Sequence, residues 1–488
     1  MSKFVKNTLK LAGSTTVAQV VSALLSPIQT RIFSPEAYGI YGFFFSIVST
    51  FSMLSTARYE FAIMTVDDKD KAKNLFAIAL IIPIVFSAII WFSIQNFGNQ
   101  FFGFISEINL SPYYGVFIVT VLISGITILF KYYNYKIEKF NLVAIVNLTN
   151  TSLSSILILL LGVLGMNNSS GLIYGNLAGT IIAWLIPVFF FLKDDFKTFI
   201  SKLNFNEMLY LFKYYSKPSL INTISAFVNS FSVQVPSILL TSFFGPEVNG
   251  YYALGFKVLK MPSILIGQAL SNVFFQTASE ARNKGGLGFL VEQSMTKLIN
   301  IGLFPILLLT VAGRDLVSVI FGSSWGEAGV YIQILSLWIF AAFISSPLST
   351  ALIVLEKNEF FLKFNIILLI SRVISLYAGY LLDNSRLALF FMSISGVLLY
   401  GWMGWSLLRI TKSNHRRLLA NILSINRIAI PLLVEAVLIQ VIFSGNSIII
   451  TINAFLLSLI FMIFLVWKDP EINGIVMNFV QNIFRKQF

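Results

Sequence analysis

The sequence predicts an all-α polytopic membrane protein of about fourteen transmembrane helices, built as two parallel six-helix lobes followed by an extra C-terminal helix pair. Composition, the length of the apolar runs and a motif found once in each half carry this reading. Of the 488 residues, 57% are hydrophobic and only 11% are charged, and the mean hydropathy is +0.82. Water-soluble domains carry about 25% charge, so most of the solvent around this chain is lipid. Backbone groups in hydrocarbon must satisfy one another, which leaves helices or a closed barrel. A barrel strand alternates in polarity over about 10 residues. The stretch LFAIALIIPIVFSAIIWF, Leu75 to Phe92, does not alternate, and runs near the ~20 residues of a crossing helix recur throughout.

Taken in order, spans are expected near 10–30, 38–57, 75–96, 112–131, 142–163, 170–192, 218–241, 248–274, 297–320, 330–353, 362–382, 387–408, 428–444 and 447–467. Lys and Arg fix the register, because cytoplasmic connections are basic. Alternate connections hold Arg58, Lys69, Lys71 and Lys73, then Lys131, Lys136 and Lys139, then five lysines from Lys193 to Lys217. The same alternation continues through Arg282, Lys284 and Lys297, Lys357 and Lys363, Arg409 to Arg427, and the tail. The intervening connections hold only Arg31, Arg314 and Arg386. Both termini are therefore expected in the cytoplasm. The basic start MSKFVKNTLK reads as the approach to the first span, since no small-residue cleavage site follows it. The net charge of +13 belongs to these loops, so nucleic acid is not an expected partner. With no cysteine, disulfides, thiolate nucleophiles and thiolate metal sites are excluded.

Two stretches differ from the spans. In KDDFKTFISKLNF, Phe196, Phe199, Ile200 and Leu203 are spaced for one helical face with Lys on the other, the pattern of a helix lying on the membrane surface. The tail repeats the pattern from Ile472 to Ile483. The expected organisation is an N-terminal lobe over 1–192, an amphipathic linker over 193–217, a second lobe over 218–410, and an extra helix pair with an amphipathic tail over 411–488.

The duplication rests on a polar turn. RIFSPEAYGIYGFF, Arg31 to Phe44, recurs as SFFGPEVNGYYALGF, Ser242 to Phe256. A shift of 211 positions (246 minus 35) aligns Pro35 with Pro246, Glu36 with Glu247, Gly39 with Gly250, Tyr41 with Tyr252 and Phe45 with Phe256. Pro27 and Pro236 fall near the outer ends of their spans. Six spans per half make the repeats parallel, related by an axis along the membrane normal.

Charged groups inside spans are costly and mark function. Arg31, Lys257, Lys260 and Arg372 are cationic, and Glu435 is the acidic exception, outside the repeat. Lys257 and Lys260 are three apart and share a helical face. A cavity lined by such groups suits an anionic cargo. Gln29, Asn147, Asn229 and Gln234 are candidates for a polar cavity wall, although amides also join helices in lipid. Arg58, Tyr59 and Glu60 stand at the cytoplasmic mouth of the second span as a candidate gate.

LSPIQTRIFSPEAYGIYGFFFSI, ARYEFAIM and GQALSNVFFQTASEARNKGG together resemble the Wzx-type oligosaccharide flippases of the multidrug/oligosaccharidyl-lipid/polysaccharide exporter superfamily. The resemblance is strongest over 1–65 and 240–285. It implies a V-shaped, MATE-like pair of lobes around a central cavity. The implied cargo is an oligosaccharide on undecaprenyl pyrophosphate, moved from the cytoplasmic to the periplasmic leaflet of a bacterial inner membrane for O-antigen, lipopolysaccharide, capsule or another surface polysaccharide. Implied partners are this lipid-linked cargo, membrane lipids, and a polysaccharide polymerase with its chain-length partner. Arg matches phosphate oxygens with a planar fork and Lys with a mobile point charge. No cofactor or metal is expected. Proton coupling, sodium coupling and the membrane potential all remain open as the driving force; the last is worth about 2.3 kcal/mol per charge per 100 mV.

Two other classes compete. A cation-coupled multidrug antiporter on the same fold would want acids in its cavity. A membrane polymerase or ligase would want a large outer loop or a nucleophile with a base. The outer connections are short, and the sole histidine, His415, lies in the basic stretch TKSNHRR. A transporter rather than an enzyme is expected.

Overall fold

The computed structural model describes residues 3–105, 108–264, 274, 277–278, 281, 286–355 and 357–468. Among them the regular structure is helical. The helices are α1 (Lys3–Ile32), α2 (Pro35–Leu54), α3 (Tyr59–Thr65), α4 (Lys69–Ala79), α5 (Ile81–Ile105), α6 (Tyr114–Lys136), α7 (Phe140–Val163), α8 (Ser169–Phe190), α9 (Phe196–Ile200), α10 (Phe205–Phe244) and α11 (Pro246–Pro262). After α11 come α12 (Leu287–Phe321), α13 (Gly326–Ser345), α14 (Thr350–Val354), α15 (Asn358–Leu381), α16 (Ser385–Ile410), α17 (His415–Ile442) and α18 (Ser447–Lys468). Twelve described helices are long and apolar enough to cross a membrane. The other two expected spans fall on α1 and on α11, and the count of fourteen rests on those two. The expected amphipathic tail and most of GQALSNVFFQTASEARNKGG lie outside the described residues.

Several helices outrun the hydrocarbon. α10 has 40 residues, about 60 Å at 1.5 Å per residue, against a core of about 30 Å. Its start is capped by Asn204, whose Oδ1 accepts from the Glu207 amide at 3.2 Å. α2 begins on Ser34, which accepts from the Ala37 amide at 3.2 Å, with Pro35 in the first turn and Glu36 on the positive helix end. The repeated Pro-Glu turn is thus a helix start.

The chain forms two compact units, Met1–Leu254 with Leu362–Ala388, and Gly255–Phe361 with Leu389–Phe488. In the first, one core gathers Phe43, Phe44, Ile47, Phe117 and Val121 where α2 meets α6. A second gathers Phe76, Phe130, Tyr133, Phe191 and Phe199. Phe76 stacks on Tyr133 at 4.4 Å and meets Phe199 edge-on at 5.9 Å. This core changes the reading of the linker. Instead of a helix resting on its whole apolar face, 191–203 is a single π turn followed by the short α9. Phe199 is buried while Phe196 and Ile200 stay exposed. Aromatic packing captures Phe199 and partly covers Leu203, and the rest of the face stays exposed.

Asn74 fastens this segment. Its Nδ2 donates to the Lys202 carbonyl and to Glu207 Oε2, both at 3.1 Å, and its Oδ1 accepts from the Asn204 amide at 2.7 Å.

The two copies of the polar turn meet within the first unit. A Cβ on Gly39 would come 1.6 Å from the Pro246 carbonyl oxygen, and one on Gly250 would come 1.8 Å from the Pro35 carbonyl oxygen. The contact is reciprocal between positions related by the 211-residue shift. Small residues permit such backbone approach between membrane helices. Asn249 reinforces it, donating from Nδ2 to the Gly39 carbonyl at 2.8 Å and accepting from Ser237 Oγ at 2.8 Å.

In the second unit α12 is the central helix. Phe304, Leu308 and Ala312 pack with Ile425 and Ala429 of α17 and with Ala454, Leu457 and Phe461 of α18. Phe304 stacks on Phe461 at 4.6 Å. Ser393 Oγ donates to the Ile334 carbonyl at 2.7 Å and Ser345 Oγ to the Tyr400 carbonyl at 3.0 Å, tying α13 to α16.

Candidate functional site

Pro236 sits inside α10 and has no backbone N–H, so the carbonyl four residues earlier loses its helical donor. That carbonyl belongs to Ser232. Arg372, on α15, is 5% exposed. Its Nη1 donates to the Ser232 carbonyl, and also to Ser232 Oγ at 2.8 Å. A buried guanidinium therefore occupies the rung that proline vacates. The sequence marked Arg372 as a buried cation but not its partner. The signal for Ser232 was present in Pro236, four positions on.

The other candidates of the first unit divide into those held by neighbouring helices and those at more exposed positions. Gln29 of α1 is buried; its Nε2 donates to the Ser155 carbonyl at 2.8 Å and its Oε1 accepts from Tyr38 at 3.0 Å, so both ends of the amide join α1 to α7 and α2. Gln234 Nε2 donates to Ser49 Oγ at 3.1 Å. It is two residues from Ser232, about 200° round the helix, so Gln234 and Arg372 address opposite sides of α10. Asn229 is exposed, one turn before Ser232. Asn147 is half-buried and bonds Tyr135. Arg31 is exposed and folds back on the last turn of α1, donating to the Pro27 carbonyl at 2.8 Å.

In the second unit Lys257 and Lys260 lie on α11, both half-buried. The Lys260 ammonium stands 5.1 Å from the centroid of the Phe256 ring, one turn away, within cation–π reach. Glu435 is exposed on α17.

The candidate gate forms a closed cluster. Ala57 and Arg58 have φ of 45° and 60°, a left-handed corner that costs L-residues about 1–2 kcal/mol each. This corner starts α3 and lets Arg58 Nη1 reach Glu60 Oε1 at 3.2 Å. Glu60 is 1% exposed, and the Arg58 guanidinium also stands 4.5 Å over the Phe61 ring. Tyr59 stacks on Phe212 at 4.9 Å and donates its hydroxyl to the Phe212 carbonyl at 2.8 Å. α3 is thereby joined to α10.

The fold and sequence find relatives. The structure superposes on a lipid II flippase MurJ in an inward closed conformation with a TM-score of 0.69 and 15% identity, covering 92% of this chain and 97% of that one. It superposes on an inward-facing multidrug resistance MATE family transporter of the MOP superfamily with a TM-score of 0.61 and 15% identity, covering 81% and 95%. At such identities the likeness concerns the fold. A teichuronic acid biosynthesis protein, TuaB of Bacillus subtilis (strain 168), is 26% identical over 117 residues; the match spans 23% of this chain and 24% of that protein. Residues 28–330 match a family model described as polysaccharide biosynthesis protein. That match takes in the first copy of the polar turn, the second copy and α12, more than half of the chain, and this chain belongs to the polysaccharide biosynthesis protein family.

Proposed function

We propose that this protein moves an anionic lipid-linked oligosaccharide, with undecaprenyl pyrophosphate as the carrier, from the cytoplasmic to the periplasmic leaflet of a bacterial inner membrane. The observation that carries the reading is the family match across both copies of the repeat, on a fold shared with a lipid II flippase. The buried Arg372 supports an anionic cargo, and Lys257 and Lys260 are the further cationic candidates. Six-helix lobes rocking about a fixed site would give alternating access. Both termini then lie in the cytoplasm, and the exported glycan feeds a surface polysaccharide such as O-antigen or capsule through a polymerase and its chain-length partner. An inside-negative potential favours outward movement of a phosphate-bearing head when the protein's cations stay in place.

The test is leaflet-resolved. In cells, the lipid-linked oligosaccharide is labelled from the periplasmic side in the presence of wild type, Lys257→Ala and Arg372→Ala, with membrane insertion checked for each. The expected outcome is cytoplasmic accumulation of the precursor in both variants. Normal export by the double variant removes these residues from the cargo site. Cation-dependent drug efflux with unchanged glycan export overturns the flippase reading in favour of the antiporter.

A further inference from the structure

In the first half of α10 the exposed residues sort by chemistry around the helix. At about 100° per residue, Tyr214, Asn222, Ser225 and Asn229 fall within about 80° of one another, with Tyr210 at the edge of the same sector. All five are exposed. Leu220 and Ile224, also exposed, lie about 140° from the centre of that sector. The buried Ser219, Thr223 and Ala226 form the remaining side. α10 thus has one packed side, one exposed apolar side and one exposed polar side.

The polar side reaches hydrocarbon depth. α10 has 40 residues and is among the helices long and apolar enough to cross a membrane. A crossing takes about 20 residues. Every stretch of that length within Phe205–Phe244 contains Asn222 or Asn229, so at least one exposed asparagine lies inside the bilayer wherever the helix is set. An exposed amide is costly against lipid and is placed where it meets another helix or water. Other amides of this unit do join helices, as Gln29 does and as Asn176 does by donating from Nδ2 to the Tyr41 hydroxyl at 3.1 Å. The side chains of Asn222, Ser225 and Asn229 make no hydrogen bond among the described residues. Their donors and acceptors are exposed and open to a ligand.

The same side begins with an aromatic pair. The Tyr210 and Tyr214 rings stack with centroids 6.1 Å apart and planes 26° from parallel. Tyr215 meets the Tyr214 ring edge-on at 5.0 Å. The two stacked tyrosines are 65% and 63% exposed. A sugar ring presents C–H groups on its faces and hydroxyls around its rim. The C–H groups suit the negative face of an aromatic ring. Each hydroxyl both donates and accepts, and an amide side chain offers both functions. Following the polar side for about 33 Å from Tyr210 leads to Ser232, where Arg372 is seated. One helix side therefore runs from groups suited to sugars to a cation suited to phosphate, which is the order of a glycan joined to a phosphate.

We propose that this side of α10 is a carbohydrate track, on which Tyr210 and Tyr214 stack the sugar rings of the cargo and Asn222, Ser225 and Asn229 bond their hydroxyls. The occupant is a glycan of several sugars, because these groups are spread along about 28 Å of helix. The assignment rests on the flippase reading for the identity of the cargo. It adds the groups that hold the sugar part and leaves the phosphates to the cations.

The chain has no cysteine, so single cysteines report without background. Asn222→Cys, Ser225→Cys and Asn229→Cys on the polar side, and Leu220→Cys and Ile224→Cys on the apolar side, are made in the full-length protein. Each is exposed in unsealed membrane vesicles to a charged, water-soluble thiosulfonate. The first three should react and the last two should not. Lipid-linked oligosaccharide extracted from cells lacking the protein should slow labelling of the near-isosteric Ser225→Cys about tenfold, and undecaprenyl pyrophosphate without a sugar should not. Adding Tyr210→Ala and Tyr214→Ala should remove most of that protection. Both tyrosines are exposed, so an unchanged melting temperature is expected and confirms the fold. Polar-side cysteines that stay unreactive, or that cross-link between copies, make this a lipid-facing or self-association surface and overturn the track. Equal protection by the two lipids, or protection that survives loss of both tyrosines, overturns it as well. The leaflet-resolved export measurement separates the two readings. Normal export by wild type without sugar-dependent protection sinks the track alone, and absence of glycan export by wild type sinks the flippase reading and the track with it.

Discussion

Gly39 and Gly250 lie backbone to backbone, each where the other copy of the repeat begins its helix: the Pro246 carbonyl covers Gly39 and the Pro35 carbonyl covers Gly250. The blocking atoms on both sides are main-chain oxygens, so no side-chain rotation makes room for a methyl. Gly39→Ala and Gly250→Ala should each lower stability by about 1–3 kcal/mol, the usual cost of overpacking. Because both disturb one contact, the double variant should cost clearly less than the sum of the singles. Thermal unfolding of detergent-purified protein measures this, and full additivity would show the two positions to be independent.

Arg372 and Pro236 form a second coupled pair. Arg372→Met keeps the apolar stem but leaves the Ser232 carbonyl without its donor, at about 1–3 kcal/mol. Pro236→Ala supplies a backbone N–H to the same carbonyl. Arg372→Met should therefore lower the melting temperature substantially in the wild-type background and at most half as much beside Pro236→Ala. An equal loss in both backgrounds would mean that the carbonyl is not what Arg372 stabilises.

Glu60 depends on Arg58. Removing one partner of a buried pair costs about 3–5 kcal/mol, and the value here should sit at the low end because the Arg58 side chain is 20% exposed. Arg58→Ala should destabilise more than the double change Arg58→Ala with Glu60→Gln, which leaves no buried charge behind. Urea or thermal titration of the three proteins gives the order.

Asn74→Ala should free the segment around α9. It removes the bonds to Lys202, Asn204 and Glu207 but leaves Phe199 in its aromatic core. The expected result is faster proteolysis between Lys197 and Asn204 with little change in melting temperature. Unchanged cleavage would show that packing alone holds the segment.

The membrane class and most spans were legible because hydropathy and the alternation of basic loops report directly on lipid contact. Helix ends were not: α10 and α12 continue past the hydrocarbon, where apolar runs no longer mark them. The 211-residue shift correctly paired Gly39 with Gly250, yet nothing local indicates that equivalent turns touch each other. Among the candidate residues, burial of Arg372 followed from its place in an apolar run, whereas the engagement of Gln29 with Ser155 depends on which helix lies beside α1. Asn74 escaped notice because KDKAKN reads as a solvated basic stretch.

If Arg372 receives the anionic cargo, as proposed, its place in the broken rung of α10 makes anion occupancy and helix continuity two aspects of one equilibrium. An anion that draws Arg372 from Ser232 strands a carbonyl in a dry environment, and its affinity is reduced by that amount. By thermodynamic reciprocity, whatever mends the ladder at Pro236 must tighten anion binding by the same factor. On the proposed function, the proline of α10 would act as a built-in affinity brake that eases release of a tightly held polyphosphate head on the far side.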